Sequence, residues 1–185
     1  IKIFQKLSWI KMMLHINKLA KLTLEFDNEL LSFSHFKNYP NYLPYIGKDY
    51  SNSKKKILII AESHFYPDED FYKNIDINDF YNKKVDFKDL NFMFTRFELT
   101  RIEKHRIHQI LEKFVNYEEI AYYNFFLRPA SNKKSLIVKA IDKEYSNNAF
   151  KVITNALCPD KIIIEKKKSF DALSIENKKT YKEKI

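Results

Sequence analysis

The sequence predicts an α/β fold, a three-layer α/β/α sandwich around a short parallel sheet. Three segments of strand length are rich in apolar residues, at 56–61, 118–130 and 160–165, and segments with helical spacing of apolar residues lie between them. Strands that are apolar on both faces are typical of a parallel sheet covered by helices, and helical crossovers join such strands. At 185 residues, the chain is long enough for one domain with its own core.

The N-terminal part of the chain is predicted to be helical. Apolar residues recur at helical spacing over residues 13–36, so we assign residues 1–36 to a helical segment that packs on a single α/β domain at 37–185. Because the first residue is isoleucine, we expect either a natural start at Met12 or Met13 or a chain that is a fragment of a longer one.

Connector and helix signals separate the predicted strands. Pro40, Pro44 and Gly47, the chain's single glycine, lie among polar residues and predict a connector. Helical spacing predicts helices around residues 77–83, 100–115 and 147–158, and a further helix from residue 167. The second of these has an apolar face formed by Ile107, Ile110, Leu111 and Phe114. We expect that face to pack on the core.

The composition favours an intracellular protein that meets polyanions. There are 33 Lys and Arg residues against 24 Asp and Glu, a formal charge of +9, which favours contact with nucleic acid or other acidic surfaces, although a merely solvated lysine-rich surface fits equally well. Cys158 is the only cysteine, so we expect a reducing, cytoplasmic setting and a buried structural thiol. No segment is apolar enough for a membrane span, so no membrane partner is expected.

Polar side chains follow the first two predicted strands at the point where each strand should end. Glu62, Ser63 and His64 come after the first strand, and Asn124 comes near the end of the second. Ligands of parallel α/β sheets bind beyond the carboxyl ends of the strands, so we expect these residues to line one pocket. Glu62 could act as a base, His64 could contact an oxyanion, and Asn124 could read a base edge. Ordinary capping, loop and turn roles remain open for each.

Other kinds of site receive weaker support from the sequence. Phe65, Tyr66, Phe125 and Phe126 could stack on a planar ligand, although most aromatic residues of such a chain belong to the core. No glycine-rich phosphate loop is present, so no nucleotide cofactor is expected. His105 and His108 lack a third ligand at fixed spacing, and we expect solvated histidines rather than a metal site. Ser63 with His64 as a hydrolase pair lacks the glycine elbow.

Three segments, in order, resemble the uracil-DNA glycosylase superfamily, and in particular its divergent bacterial members. "ILIIAESHF" at 57–65 is similar to the first motif, and "AYYNFFLRP" at 121–129 to the strand whose Asn holds the flipped base. "LCPDKIIIEKKKSFDAL" at 157–173 is similar to the third-strand segment, and "LPYIGKDY" at 43–50 to the lead-in. The resemblance covers about residues 40–175.

The resemblance implies hydrolysis of the N-glycosidic bond of uracil or another damaged base in DNA, without metal or cofactor. It places Glu62, Ser63 and His64 at the catalytic position, where the first motif positions the water. Phe65, Asn124 and Phe125 would then form the base-binding set, with Phe65 stacking on the base and Asn124 reading its edge.

The sequence also departs from the family pattern. Ser63 stands where the best-known first motif has Asp, Ala61 stands at the usual glycine, and the final strand with its His-Pro-Ser motif has no counterpart. We therefore expect the sheet to lack its last strand, which would leave the third strand at an open edge. The alternative to an active glycosylase is a catalytically inactive module of the same fold that binds nucleic acid or a nucleotide.

Overall fold

A four-stranded mixed sheet forms the centre of the fold. The computed structural model describes residues 22–66, 76–82, 85, 95–100, 106–131 and 136–185. The strands are β1 (Tyr45–Ile46), β2 (Ile57–Tyr66), β3 (Ile120–Ser131) and β4 (Lys161–Ile164). Their order across the sheet is β1-β3-β2-β4. The α/β class is thus confirmed, and the central strand β2 lies between the other two long apolar segments.

The three strands predicted from the sequence run parallel. β2 pairs parallel with β3, with Ile57 opposite Ile120, and parallel with β4, with Ile57 opposite Lys161. β1 is antiparallel to β3, so the sheet is mixed rather than wholly parallel. Leu58 and Ile59, adjacent on β2, belong to two different hydrophobic clusters, as expected for a strand covered on both faces.

The described helices are mostly short and lie before, between and after the strands. They are α1 (Asp27–Leu30), α2 (Ser34–Asn38), α3 (Ile77–Asn82), α4 (Thr95–Thr100), α5 (Arg106–Leu111), α6 (Ala140–Leu157), α7 (Lys167–Ala172) and α8 (Ile175–Thr180). α6 is the long crossover that packs on β3 and returns the chain to β4. The helix predicted at residues 147–158 is confirmed, although α6 begins seven residues earlier, at Ala140. Within the described residues, no helix has the length and apolar character needed to cross a membrane.

The segment predicted as a connector is part of the core. It contributes β1 and two 3-10 turns, Pro40–Tyr42 and Tyr50–Asn52. The large hydrophobic side chains of this segment that are buried are Tyr39, Tyr42, Leu43, Tyr45, Ile46 and Tyr50. The connector prediction was wrong because proline and polar residues dominated the pattern, whereas tyrosines bury large apolar rings even in irregular backbone.

Gly47 allows the backbone of this segment to approach the start of β3. Its N–H donates to the Ile120 carbonyl over 2.8 Å, and a Cβ atom on Gly47 would overlap the carbonyl groups of Tyr117 and Glu118. The obstacle is backbone, which cannot rotate away as a flexible side chain could. Gly47 therefore fixes the spacing between β1 and the turn before β3.

Replacing Gly47 with alanine is expected to lower the free energy of unfolding by about 3 kcal/mol, the upper range of overpacking effects. Urea denaturation followed by circular dichroism would measure the change. Asn52→Ala, an exposed position in the next turn, is the control and should change stability by less than about 0.5 kcal/mol. A Gly47→Ala variant as stable as the control would contradict the close approach of the two backbones.

β2 and β3 both continue beyond the ends that the sequence predicted. Glu62, Ser63 and His64 lie within β2, and Asn124 lies in the middle of β3 rather than near its end. β3 even passes Pro129, because the register shifts between Ser63 and Phe65 and leaves the proline in an irregular part of the ladder. Proline lacks an N–H group, and a strand accepts it at such a bulge.

Two further predictions about burial were wrong. Ile107, Ile110 and Phe114, expected to pack on the core, are exposed, and His108 on the same helix is buried instead. Cys158, expected in the core, is exposed and ends α6 with a positive φ of 44°. The turn at Pro159 thus begins with a left-handed residue, a common way for a helix to end.

The third predicted strand, β4, lies at an edge of the described sheet, as expected. The C-terminal segment covers part of that edge, since the Ile162 N–H donates to the Lys184 carbonyl over 2.5 Å. The Lys184 ammonium also donates to the Pro159 carbonyl. These contacts occupy backbone groups that would otherwise be open to another strand.

Candidate functional site

The sequence-predicted site residues lie on the two adjacent parallel strands β2 and β3. Ala61 is paired with Asn124, and Ser63 with Phe126. Glu62 and His64 flank Ser63 on β2, so all four polar residues lie within a short stretch of the paired strands, in the carboxyl half of β2 and the middle of β3. Their proximity along the sheet agrees with the expectation drawn from the sequence.

Glu62 and Asn124, however, point to opposite faces of the sheet. Asn124 shares the face of its partner Ala61, and side chains alternate along a strand, so the next residue, Glu62, faces the other way. The contacts agree: the Glu62 Oε1 atom lies 3.1 Å from the Lys168 ammonium on α7. The expectation that Glu62 and Asn124 line one pocket was therefore wrong, because the strand continues through residues predicted to be a loop.

His64 and Asn124 are brought together on the α4 side of the sheet. The Asn124 Nδ2 atom lies 3.1 Å from His64 Nε2 and 3.4 Å from Nδ1, so the amide donates to the ring. The hydroxyl of Thr95 on α4 lies 3.2 Å from Nε2, and the Tyr42 ring makes an edge contact with the imidazole. The register shift after Ser63 lets His64 turn to this face.

Burial controls the protonation of His64. His64 and Asn124 are both buried, with 4% and 7% of their surface exposed. Burial lowers the pKa of His64, an effect that Glu98 opposes and His108 reinforces. His64 is therefore neutral at pH 7, with a ring that can accept from one neighbour and donate to another. Together the amide and the imidazole provide both donors and acceptors at a buried position.

A second group of polar side chains adjoins this pair, and sequence reasoning did not single it out as a unit. The buried His108 ring lies 3.3 Å from the Tyr117 hydroxyl through Nδ1, and its Nε2 lies 3.9 Å from the Glu98 carboxylate. Burial raises the pKa of Glu165, and the positive charges of His108 and Lys166 oppose this increase. His108 was expected on a solvated helix face, and only its spacing among apolar neighbours in the sequence could have signalled burial.

Glu62 forms a separate polar contact on the α7 side. The Lys168 ammonium, 3.1 Å from Glu62, also donates to the Leu136 carbonyl. The carboxylate is mostly covered, with 20% of its side chain exposed. The Glu62 carboxylate thus accepts a hydrogen bond from the Lys168 ammonium. A water molecule that Glu62 is to orient would compete with this ammonium for the carboxylate.

The remaining predicted residues occupy different environments. Phe125 is fully buried in edge contact with Phe126, as a core residue. Ser63 is half-buried, and among the described residues the hydrogen-bond partners of the His64 ring are Thr95 and Asn124 rather than Ser63. The Phe65 side chain lies outside the described part of the chain, so the predicted stacking on a base is not tested.

His105 and His108 are three positions apart in the sequence, which predicts solvated histidines rather than a metal site. His105 lies outside the described residues. Across the ranges that the structure describes, no group of three or more His, Cys, Asp or Glu side chains could hold a metal ion. The described part of the site is thus built from an amide, imidazoles, hydroxyls and carboxylates.

No family model, curated protein or solved structure matches the chain significantly. The resemblance to the uracil-DNA glycosylase superfamily therefore stays a prediction that rests on the quoted sequence segments and on the parallel pairing of the strands that three of them contain.

Proposed function

We propose that the protein is a nucleic-acid-binding module of the α/β class, in which Asn124 and His64 contact a base at the carboxyl side of the sheet. The observation that carries this proposal is the hydrogen-bonded pair formed by these two side chains on adjacent parallel strands. A base presents donors and acceptors along one edge, and a side-chain amide matches such an edge with one donor and one acceptor group.

The chemistry around the pair suits a planar polar ligand. The neutral imidazole of His64 adds a second group that can donate or accept, and the Tyr42 ring lies beside it. The formal charge of +9 favours association with a polyanion through its phosphates, independently of base identity. DNA is accordingly the proposed partner, and binding should weaken as salt is raised.

Hydrolysis of an N-glycosidic bond is the second candidate. The observation in its favour is that the three segments resembling the glycosylase superfamily include Glu62 beside the Asn124-bearing strand. Glu62, however, contacts Lys168 on the face opposite Asn124. A water oriented by Glu62 would lie across the sheet from a base held by Asn124, and we therefore rank binding above hydrolysis.

Binding is tested with single-stranded DNA that contains uracil or thymine, measured by fluorescence anisotropy at several salt concentrations. Asn124→Ala is expected to weaken binding about tenfold, as loss of a good base contact does, and to reduce discrimination between bases. Asn148→Ala, exposed on α6, is the matched control. Asn124→Asp keeps the shape but removes the amide donor, and thermal melting checks that both variants fold.

Hydrolysis is tested by base release from the same DNA. The unmodified protein should bind without releasing uracil, if binding is the function. Uracil release that disappears in Glu62→Gln but persists in Glu144→Gln, an exposed position on α6, would overturn that ranking in favour of the glycosylase. Binding that does not respond to Asn124→Ala or to salt would contradict both candidates.

A further inference from the structure

A cleft of about 450 Å³ opens between α6 and α7, next to Glu62. Its lining residues are Phe126, Val138, Lys143, Lys167, Lys168, Asp171 and Ala172. The apolar lining comes from Phe126 of β3, Val138 before α6 and Ala172 of α7, and the helices add the lysines. This is the arrangement of a ligand site, in which apolar contacts provide burial and a few polar groups provide specificity.

The charges lining the cleft are unequal, three lysines against one aspartate. Lys168 is held by Glu62, which offsets its charge. Lys167 pairs with Asp171 at 2.5 Å, but both side chains are largely exposed, and such pairs are weak and readily exchanged. Lys143 is exposed and makes no described ion pair with another described residue. An anion in the cleft would therefore meet positive charge that the described structure does not neutralise.

The cleft and the proposed base site lie on opposite faces of the sheet, because the cleft adjoins Glu62, whose side chain faces away from Asn124. Phe126 follows Asn124 by two positions on β3, which corresponds to about 7 Å along a strand. Successive residues of one nucleic-acid strand rise by about 3.4 Å in a duplex, and more when the strand is extended. One bound strand that reaches both sites has to pass around the carboxyl ends of β2 and β3, so Lys143 would contact a phosphate several nucleotides away from a base held by Asn124.

We propose that the cleft between α6 and α7 binds a phosphate group, with Lys143 and Lys167 as its contacts. This proposal rests on the proposed function, in which the phosphate belongs to the backbone of the bound nucleic acid. A free nucleotide carries the same group, and the experiment separates the two sources. Lysine contacts a phosphate as a point charge, so its effect should depend strongly on salt.

The test compares Lys143→Gln with Lys55→Gln, an exposed lysine that precedes β2 at the opposite end of the strands. Binding of a short thymidine oligonucleotide is measured by anisotropy against salt concentration. We expect Lys143→Gln to weaken binding about fivefold at low salt and to reduce the slope of log affinity against log salt by about 0.7, the value for one phosphate on a single strand. Lys55→Gln should change affinity less than about twofold.

Calorimetry with thymidine monophosphate and with inorganic phosphate forms the second arm. Binding of the oligonucleotide but not of the mononucleotide supports a backbone phosphate, and Lys143-dependent binding of the mononucleotide alone supports a nucleotide site while overturning the proposed function. If the base preference depends on Asn124 but Lys143→Gln does not change the affinity, the proposed phosphate site in the cleft is overturned and the proposed function is not. Equal losses in Lys143→Gln and Lys55→Gln also overturn the cleft, because they indicate diffuse charge.

Discussion

Replacing Asp142 with alanine is expected to lower the free energy of unfolding by about 3–5 kcal/mol, the loss typical when one partner of a buried ion pair is removed. Asp142 is fully buried at the start of α6, and Arg128 on β3 is 4% exposed. The guanidinium holds the carboxylate through both oxygens, at 2.8 and 2.6 Å. The variant would leave the Arg128 charge buried without its partner.

The Asp142 carboxylate also satisfies two further donors. The Tyr81 hydroxyl donates to it over 2.7 Å, and the Lys139 N–H, at the N-terminus of α6, over 2.7 Å. The contacts therefore join β3, α3 and the start of α6 in one network. Burial alone would raise the pKa of Asp142, but the donors outweigh that effect and lower its pKa. The stabilisation is therefore present above the ordinary value of 3.8 and is lost as pH falls through the lower folded pKa.

A double variant separates the ion pair from the packing around it. Asp142→Leu with Arg128→Met removes both charges, and its loss of stability should be smaller than that of Asp142→Ala, because no charge remains buried alone. Asp171→Ala is the control, since the exposed Lys167–Asp171 pair should contribute less than about 1 kcal/mol. Urea denaturation measures all three, and equal losses in Asp142→Ala and Asp171→Ala would contradict the network.

The parallel part of the fold could be predicted from the sequence because buried strands carry a strong local signal. The apolar runs at 57–61, 120–123 and 161–164 have little alternation, and the structure places all three in one sheet. Helices α3, α6 and α7 were likewise evident from apolar spacing and breakers. In these elements the local order of apolar and polar residues carries the signal, so the prediction depends little on which residues they contact in the fold.

The elements that were predicted wrongly depend on tertiary contacts. β1 has two residues, too few for any period, and it is defined by pairing with β3 and by the missing Cβ of Gly47. On α5 the short helix buries His108, whose ring finds Tyr117, rather than the isoleucines beside it. A buried histidine with a hydrogen-bond partner is acceptable, and sequence spacing alone does not show which face has one.

The candidate site was predicted in its members but not in its arrangement. Proximity of Glu62, His64 and Asn124 followed from parallel pairing, whereas their faces depend on where β2 ends. Polar residues after an apolar run suggested a loop, and the ladder with β3 instead continues past them. Successive side chains of a paired strand point to opposite faces. Whether Glu62 lies in the strand or in a loop after it therefore decides whether its side chain can meet that of Asn124.

Acid is expected to destabilise the protein already below its neutral range, because of His35. His35 is fully buried on α2, and the rings of Tyr39, Phe80 and Tyr81 lie around it. Within the described residues, neither ring nitrogen has a hydrogen-bond partner. Burial lowers the pKa of His35 from 6.5 to about 3. Between about pH 6.5 and pH 3 the folded protein therefore holds this imidazole neutral, whereas an imidazole in water would be protonated.

The sign of the effect follows from proton binding. Between about pH 6.5 and pH 3 the unfolded chain binds a proton at His35 that the folded chain does not bind. Stability is therefore fully present above pH 6.5 and falls by about 1.4 kcal/mol per pH unit as the solution is acidified through this window. His64 contributes in the same direction, since burial lowers its pKa as well.

His35→Leu is expected to remove about 1.4 kcal/mol per pH unit from the slope of stability against pH over this window, and to equal or exceed the unmodified protein in stability at pH 7. The second effect follows because leucine leaves no unpaired buried nitrogen. His35→Gln is the matched variant: it also cannot titrate, so it should lose the same slope, but it keeps a buried polar group and should gain no stability at pH 7. Urea denaturation at a series of pH values measures both quantities. If the slope persists in both variants, then other groups are responsible for acid unfolding, and the aromatic surroundings of His35 do not keep its ring neutral.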